Sequence, residues 1–207
     1  MNRRERCKQT NEATGVVKGG KAADHGFKGE QLAGEGKIDA AIVAFRRAIS
    51  IDPQYAAAHH NLGILLRRQG LLDEAIESYT RATAIQPDFV EAHYNLGNAL
   101  FDLGDLDAAV ASYHKALAIK PDFAQAHNNL GNALIKLGKL DESLVCYQKA
   151  LAVEAEYDEA HKNLGNALQQ LGQLEDAVAS YHKALAINPD FAEAHNNLGL
   201  ALQSLER

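Results

Sequence analysis

Tryptophan is absent from the 207 residues, methionine occurs once, and aromatic residues make up 6%. Any core must therefore be built from small aliphatic side chains with a few rings among them. The two cysteines, Cys7 and Cys146, cannot form a disulfide framework, and no C-x-x-C is present to hold zinc or exchange thiols. A reducing compartment, the cytoplasm, is the expected setting. No stretch approaches the ~20 apolar residues that cross a bilayer, and the basic N-terminus is not followed by an apolar h-region. Neither a membrane span nor a secretory signal is expected.

Basic charge is scarce outside the N-terminus. The chain has 21 basic and 27 acidic residues, a net charge of −6. Residues 1–23 hold Arg3, Arg4, Arg6, Lys8, Lys18 and Lys21 against Glu5 and Glu12, so the rest of the chain stands at −10. An acidic body excludes a nucleic-acid surface, which needs clustered Lys and Arg to displace phosphate counterions. With 46% hydrophobic and 23% charged residues, the body is too apolar to remain wholly disordered.

What the chain does have is repetition. The string A-H-x-N-L-G recurs at Ala58, Ala92, Ala126, Ala160 and Ala194, always 34 residues apart, and residues 90–123 match 158–191 at 26 of 34 positions. Gly36, Gly70, Gly104, Gly138 and Gly172 keep the same period, as do Phe45, Tyr79, Tyr113, Tyr147 and Tyr181, and Pro53, Pro87, Pro121 and Pro189. Five units follow, about 22–55, 56–89, 90–123, 124–157 and 158–191, with a half unit at 192–207. The array is assigned to 24–207 and a disordered basic tail to 1–23.

Each unit reads as two helices. In the third, His93, Leu96, Gly97, Leu100 and Leu103 follow helical spacing. Gly104 ends that helix as a residue able to take φ > 0. Asp107 opens the next, where a carboxylate suits the free N–H groups. Ala109, Val110, Tyr113, Ala116, Leu117 and Ile119 form its apolar stripe, and Pro121 stops it. Asp122 with Gln125, like Asp88 with Glu91 and Asp190 with Glu193, has the spacing of a capping box. Gly97, Ala109 and Ala116 allow close approach of the two backbones.

The period, the Leu–Gly pair, the later alanines, the aromatic and the closing proline resemble the tetratricopeptide repeat, over about residues 24–207. Within that family, A-H-x-N-L-G-N-A-L and K-A-L-A-I-x-P-D-F look most similar to the repeats of O-linked N-acetylglucosamine transferases and their Spindly-like and bacterial relatives. The resemblance implies an all-α fold, a right-handed superhelical solenoid of antiparallel helix pairs whose first helices line the concave face. Two departures are visible. The first unit reads His25–Gly26–Phe27–Lys28–Gly29, which puts its first helix in doubt. The fourth has Ala155 in the proline slot, which predicts a slightly longer helix.

Catalytic and metal chemistry find no support. Gly15–Val16–Val17–Lys18–Gly19–Gly20–Lys21–Ala22 nearly spells a phosphate-binding loop, but Ala22 replaces the hydroxyl and no apolar strand precedes it. His25, His59, His93, His127, His161 and His195 form a column, yet ligands ~2 Å from one zinc cannot come from helices packed ~8–10 Å apart. These rings are expected to pack between helices. Cys146 has no basic partner near in sequence and reads as inert. No hydrolase, zincin or dinucleotide motif occurs, so no enzyme and no cofactor is expected.

The asparagines carry the binding hypothesis. Asn61, Asn95, Asn129, Asn163 and Asn197 recur mid-helix, where asparagine is a mediocre former, and Asn98, Asn132 and Asn166 follow on the same face. Their amides can tie helices together or bridge a peptide's own C=O and N–H groups; in the transferase relatives such a column resembles a ladder holding extended polypeptide. Arg67, Arg68, Phe101, Asp102, Ile135, Lys136 and Lys162 flank it as candidates for selectivity. Lys162, Asn166 and Asn197 match three members of the carboxylate clamp found in some tetratricopeptide domains, but two further members are lacking. The expected function is a non-catalytic scaffold for a protein or extended peptide, without nucleic acid or membrane. The alternatives are the recognition part of a glycosyltransferase-like protein and a self-assembling array. Apolar residues on the last helix, Leu198, Leu202 and Leu205 beside His195, predict weak self-association at that end.

Overall fold

The computed structural model describes residues 20–206. The expected tail through residue 19, with Cys7 and most of the phosphate-loop likeness, lies outside them. The helices are α1 (20–34), α2 (Ile38–Ile51), α3 (Ala56–Arg68), α4 (Leu72–Ile85), α5 (Val90–Leu103), α6 (Leu106–Ile119), α7 (Ala124–Lys136), α8 (Leu140–Val153), α9 (Asp158–Gln170), α10 (Leu174–Ile187) and α11 (Ala192–Leu205). No strand occurs among the described residues. By contacts the chain divides into Met1–Ala99 and Leu100–Arg207, with α5 crossing the boundary.

In the first unit α3 packs on α2 and α4, around Phe45, Leu62, Leu66, Tyr79 and Ala99. In the second, α7 pairs with α8 and α9 with α10, α8 also meets α9, and α11 closes against α10. Leu168, Ala177, Tyr181 and Ala201 form its buried cluster, with Leu164 and Leu198 packed on it.

Each hairpin closes on a glycine. Gly36, Gly70, Gly104, Gly138 and Gly172 have φ between +75° and +92°. At such a φ a β-carbon is strained, and the turn returns N–H groups to the helix end, as Lys139 N does to Leu134 O (2.9 Å). A second glycine seats the ring. A Cβ at Gly63, Gly131 or Gly165 would lie 2.7, 2.6 or 2.6 Å from the ring of Tyr79, Tyr147 or Tyr181.

That seat explains the first unit. A Cβ at Gly29 would lie 2.8 Å from the Phe45 ring, so this glycine plays the same part although the motif around it has decayed. The first helix forms fully over 20–34 and takes in residues 20–23, which the sequence pattern assigns to the tail. Ala22, 1% exposed, anchors that extension.

Two expectations of helix ends are corrected. With Ala155 in place of proline, α8 still has the 14 residues of α6 and α10, and Glu154 N bonds to Ala150 O (2.9 Å) as Lys120 N does to Ala116 O (2.8 Å). Proline is therefore not what stops these helices. The capping boxes expected at Asp122 and Asp190 do not form either. The N-cap residues are Tyr55, Phe123, Tyr157 and Phe191, none of which caps its helix through a side-chain hydrogen bond, so Asp122 and Asp190 stand one residue too early to cap. Asp105, not Asp107, caps α6, accepting from Ala108 N (3.2 Å).

Candidate functional site

The histidine column is a set of clasps. The Nε2 atoms of His59, His93, His127 and His195 lie 2.8–3.1 Å from the carbonyl oxygens of Pro53, Pro87, Pro121 and Pro189, and His161 meets Ala155 O at 3.0 Å. A carbonyl accepts, so Nε2 carries the proton and donates. Each ring thus ties its helix to the loop that precedes it, six residues back, with or without proline there. The Nδ1 atoms of His93, His127 and His161 are buried without a partner. Burial holds the imidazoles of His127 and His161 below their ordinary pKa, because a second proton would put an uncompensated charge inside. The fixed spacing from proline slot to histidine was the signal in the sequence for this clasp.

The asparagine column sits between neighbouring first helices. In the first unit Asn61 Nδ2 donates to Glu30 Oε1 (3.1 Å) and Asn95 Nδ2 to His60 Nε2 (2.9 Å). His60, wedged between the rings of Tyr79 and Phe89, is held below its ordinary pKa by burial. In the second unit Asn163 Nδ2 donates to Asn128 Oδ1 (3.0 Å) and Asn197 Nδ2 to Asn166 Oδ1 (2.8 Å). The acceptor lies 31 or 35 residues back, two positions one helical turn apart. Asn129 Oδ1 accepts from Asn128 Nδ2 (3.3 Å). Asn128 is wholly buried and Asn163 nearly so. Neither His60 nor Asn128 was among the expected site residues; their place beside the column was not legible from periodicity alone.

Asn132 and Asn166 form a second row with a different geometry. Tyr147 Oη donates to Asn132 Oδ1 (2.8 Å), and Tyr181 Oη lies 2.8 Å from Asn166 Oδ1 and 2.9 Å from Gln169 Oε1. Burial pushes the Tyr181 hydroxyl up to about 12 and raises that of Tyr147 further, so both remain donors. With each amide oxygen held from the core side, the planar carboxamide turns its NH₂ away from the ring. Asn98, the equivalent residue of α5, is buried.

Among the flanking residues, Lys136 Nζ stands 4.2 Å over the ring of Phe101, so two selectivity candidates form one cation–π pair. Lys162 Nζ bonds to Glu193 Oε2 (3.0 Å) and lies 5.4 Å from the Phe191 ring centre, its side chain 13% exposed. The structure thus ties the clamp-like trio to its neighbours, Lys162 to Glu193 and Asn166 to Asn197. Arg68 and Asp102 are exposed and Arg67 half-buried.

On the second-helix side, grooves of about 580 and 570 Å³ open at the same register over His127 and His161. Cys146 lines the former, and burial raises its thiol to about 11, against nucleophilic use. Among the described residues no His, Cys, Asp or Glu cluster could hold a metal, and no helix is long and apolar enough to cross a membrane.

The TPR repeat family model matches five overlapping stretches, residues 29–70, 65–104, 97–138, 131–172 and 165–205. The chain is similar to the crystal structure of MamA, at 27% identity over 80% of this chain and 96% of that one, with a TM-score of 0.75. It is also similar to TTC0263, a thermophilic TPR protein of Thermus thermophilus, at 26% identity over 88% of this chain and 99% of that one, TM-score 0.66. YrrB, described as a TPR protein with an unusual peptide-binding site, shares the fold at 21% identity over 90% of this chain and 95% of that one, TM-score 0.75. No curated protein sequence matches the chain. The fold class is the all-α repeat superhelix of these neighbours. The narrower likeness to N-acetylglucosamine transferase and Spindly-like repeats has no support among them.

Proposed function

Because the chain belongs to the TPR repeat family, whose members are generally protein-interaction scaffolds, we propose that it is a non-catalytic scaffold holding an extended stretch of a partner polypeptide along its first helices. The observation that carries this reading is the second amide row. At Asn132 and Asn166 the oxygens are taken by Tyr147 and Tyr181, so what these amides offer a ligand is oriented N–H donors. Carbonyl oxygens of a peptide backbone accept such bonds whatever the side chains, which suits sequence-tolerant binding.

The pitch fits. Where Asn163 bonds to Asn128 and Asn197 to Asn166, successive first helices are direct neighbours, one helix packing distance or roughly 8–10 Å apart, while an extended chain advances about 3.3 Å per residue. One amide then serves about every third ligand residue. The Lys136–Phe101 pair and exposed Asp102 supply selectivity beside these amides in the second unit. Of the column residues, Asn61 and Asn95 in the first unit and Asn163 and Asn197 in the second play the supporting part, tying one first helix to another, while Asn129 accepts from Asn128 of its own helix.

Peptides selected against the chain from a random display library provide the test. At ~1 kcal/mol per net hydrogen bond, joint Asn132→Ala and Asn166→Ala replacement should weaken them more than tenfold, with helicity unchanged by circular dichroism. Unaltered affinity in that variant would sink the reading.

A further inference from the structure

The seat for an aromatic ring recurs in four hairpins, and the glycine that would form it is present once more on α11. Gly29, Gly63, Gly131 and Gly165 each lie against the ring of their own second helix, Phe45, Tyr79, Tyr147 and Tyr181. Gly199 of α11 holds the same place in the repeat, 34 residues after Gly165, and a Cβ there would meet nothing within 4 Å. Leu202 beside it is 42% exposed, whereas its counterparts Leu66, Leu134 and Leu168 are 1%, 3% and 8% exposed. Gln203 stands where Gln169 meets the Tyr181 hydroxyl. The seat on α11 is thus open, apolar, and furnished with an acceptor at its rim.

What fits such a seat is written in the chain's own second helices. Ala177, Tyr181 and Ala184 lie on one stripe at i, i+4 and i+7, and so do Ala75, Tyr79 and Ala82, all buried. The ring fills the glycine, and the alanines let the two backbones approach. We propose that α11 is a docking seat for an amphipathic helix of another polypeptide, one presenting an aromatic residue with a small residue four positions before it and another three positions after.

None of the aromatic residues within residues 1–207 offers that stripe. The chain's own stripes are spent within their hairpins, with Phe45, Tyr79, Tyr113, Tyr147 and Tyr181 all at most 2% exposed. Residues 1–19 contain no aromatic. The exposed ring of Phe27 has Glu30 where the stripe needs alanine, and α11 has no Phe, Tyr or Trp to offer a second copy. This surface therefore selects a foreign helix over the self-association expected from its leucines.

The test uses the full chain and an acetylated, amidated peptide with the sequence of residues 173–188, titrated by fluorescence anisotropy. Saturable binding is expected, at least tenfold weaker for the peptide carrying Tyr181→Ala. Gly199→Leu in the chain, which fills the seat from open space and favours the helix, should also cost at least tenfold while thermal unfolding stays unchanged or rises. Three results would overturn the proposal: no saturation up to about 1 mM, where binding is only ~4 kcal/mol; binding indifferent to Gly199→Leu, which would mean exchange into an internal hairpin; or sedimentation showing a dimer that the same substitution abolishes. The peptides of the scaffold test bind a different face and should be unaffected by Gly199→Leu, so failure of either reading is distinguishable.

Discussion

Helices α9 and α11 have almost the same sequence and different surroundings. Both read A-H-x-N-L-G-x-A-L-Q, from Ala160 and from Ala194. On the side facing the preceding hairpin they are alike, with Ala160, Ala167, Ala194 and Ala201 all fully buried. On the other side α9 is covered by α10 and its Tyr181, while α11 leaves Gly199 open and Leu202 exposed. A repeat motif therefore specifies a surface with two faces, and whether the second is buried depends on the element supplied to it.

The largest effect that would break this comparison is a pair of leucine truncations. Leu168→Ala should destabilise the second unit by ~2–5 kcal/mol, as a buried leucine does, and Leu202→Ala by less than ~1 kcal/mol, because much of its area is never removed from water. Urea unfolding of the two variants measures the gap; equal losses would mean that α11 is as well covered as α9.

The glycines sharpen it with opposite signs. Gly165→Ala drives a Cβ to within 2.6 Å of the Tyr181 ring, and overpacking of this kind costs ~1–3 kcal/mol. Gly199→Ala meets no atom and should stabilise the helix by up to ~1 kcal/mol. Midpoints that move apart in thermal melts confirm the difference in surroundings; a common direction refutes it.

The smallest effect is read as a slope. His127 and His161 are held below their ordinary pKa of 6.5 by burial. The unfolded chain therefore binds protons more readily than the folded one, and stability that is full above about pH 6.5 is lost as pH falls below it, toward the depressed values. Urea midpoints should drop over that range in the natural chain. They should drop less after His127→Gln and His161→Gln, whose amides can still donate to Pro121 O and Ala155 O.

The sequence conveyed the fold almost whole because period and small-residue placement are local properties of it. Gly104, Ala109 and Tyr113 each declare a turn, a contact or a core ring by position alone. The helix stop at Val153 escapes a reading that relies on proline, since the loop is closed by backbone bonds and by the His161 clasp rather than by a residue type. The candidate site was legible only as columns. Which amide groups face neighbours and which face outward depends on the 31- or 35-residue choice of partner, and on Tyr147 and Tyr181 lying close enough to hold Asn132 and Asn166. Such choices are made by packing between units of nearly equal sequence, so periodicity cannot distinguish them.

The amide ties carry a thermodynamic consequence. Because Asn163 donates to Asn128 and Asn197 to Asn166, each of these bonds couples one repeat to its immediate predecessor, as nearest-neighbour terms do in a one-dimensional Ising chain. Cooperativity in such a chain depends on the coupling relative to the intrinsic stability of each unit. Weakening a tie shortens the length over which the array melts together, before it changes any helix. Amide hydrogen exchange would register this as the splitting of one protected block into two, with the repeats between Leu100 and Arg207 opening in sequence from the last helix inward.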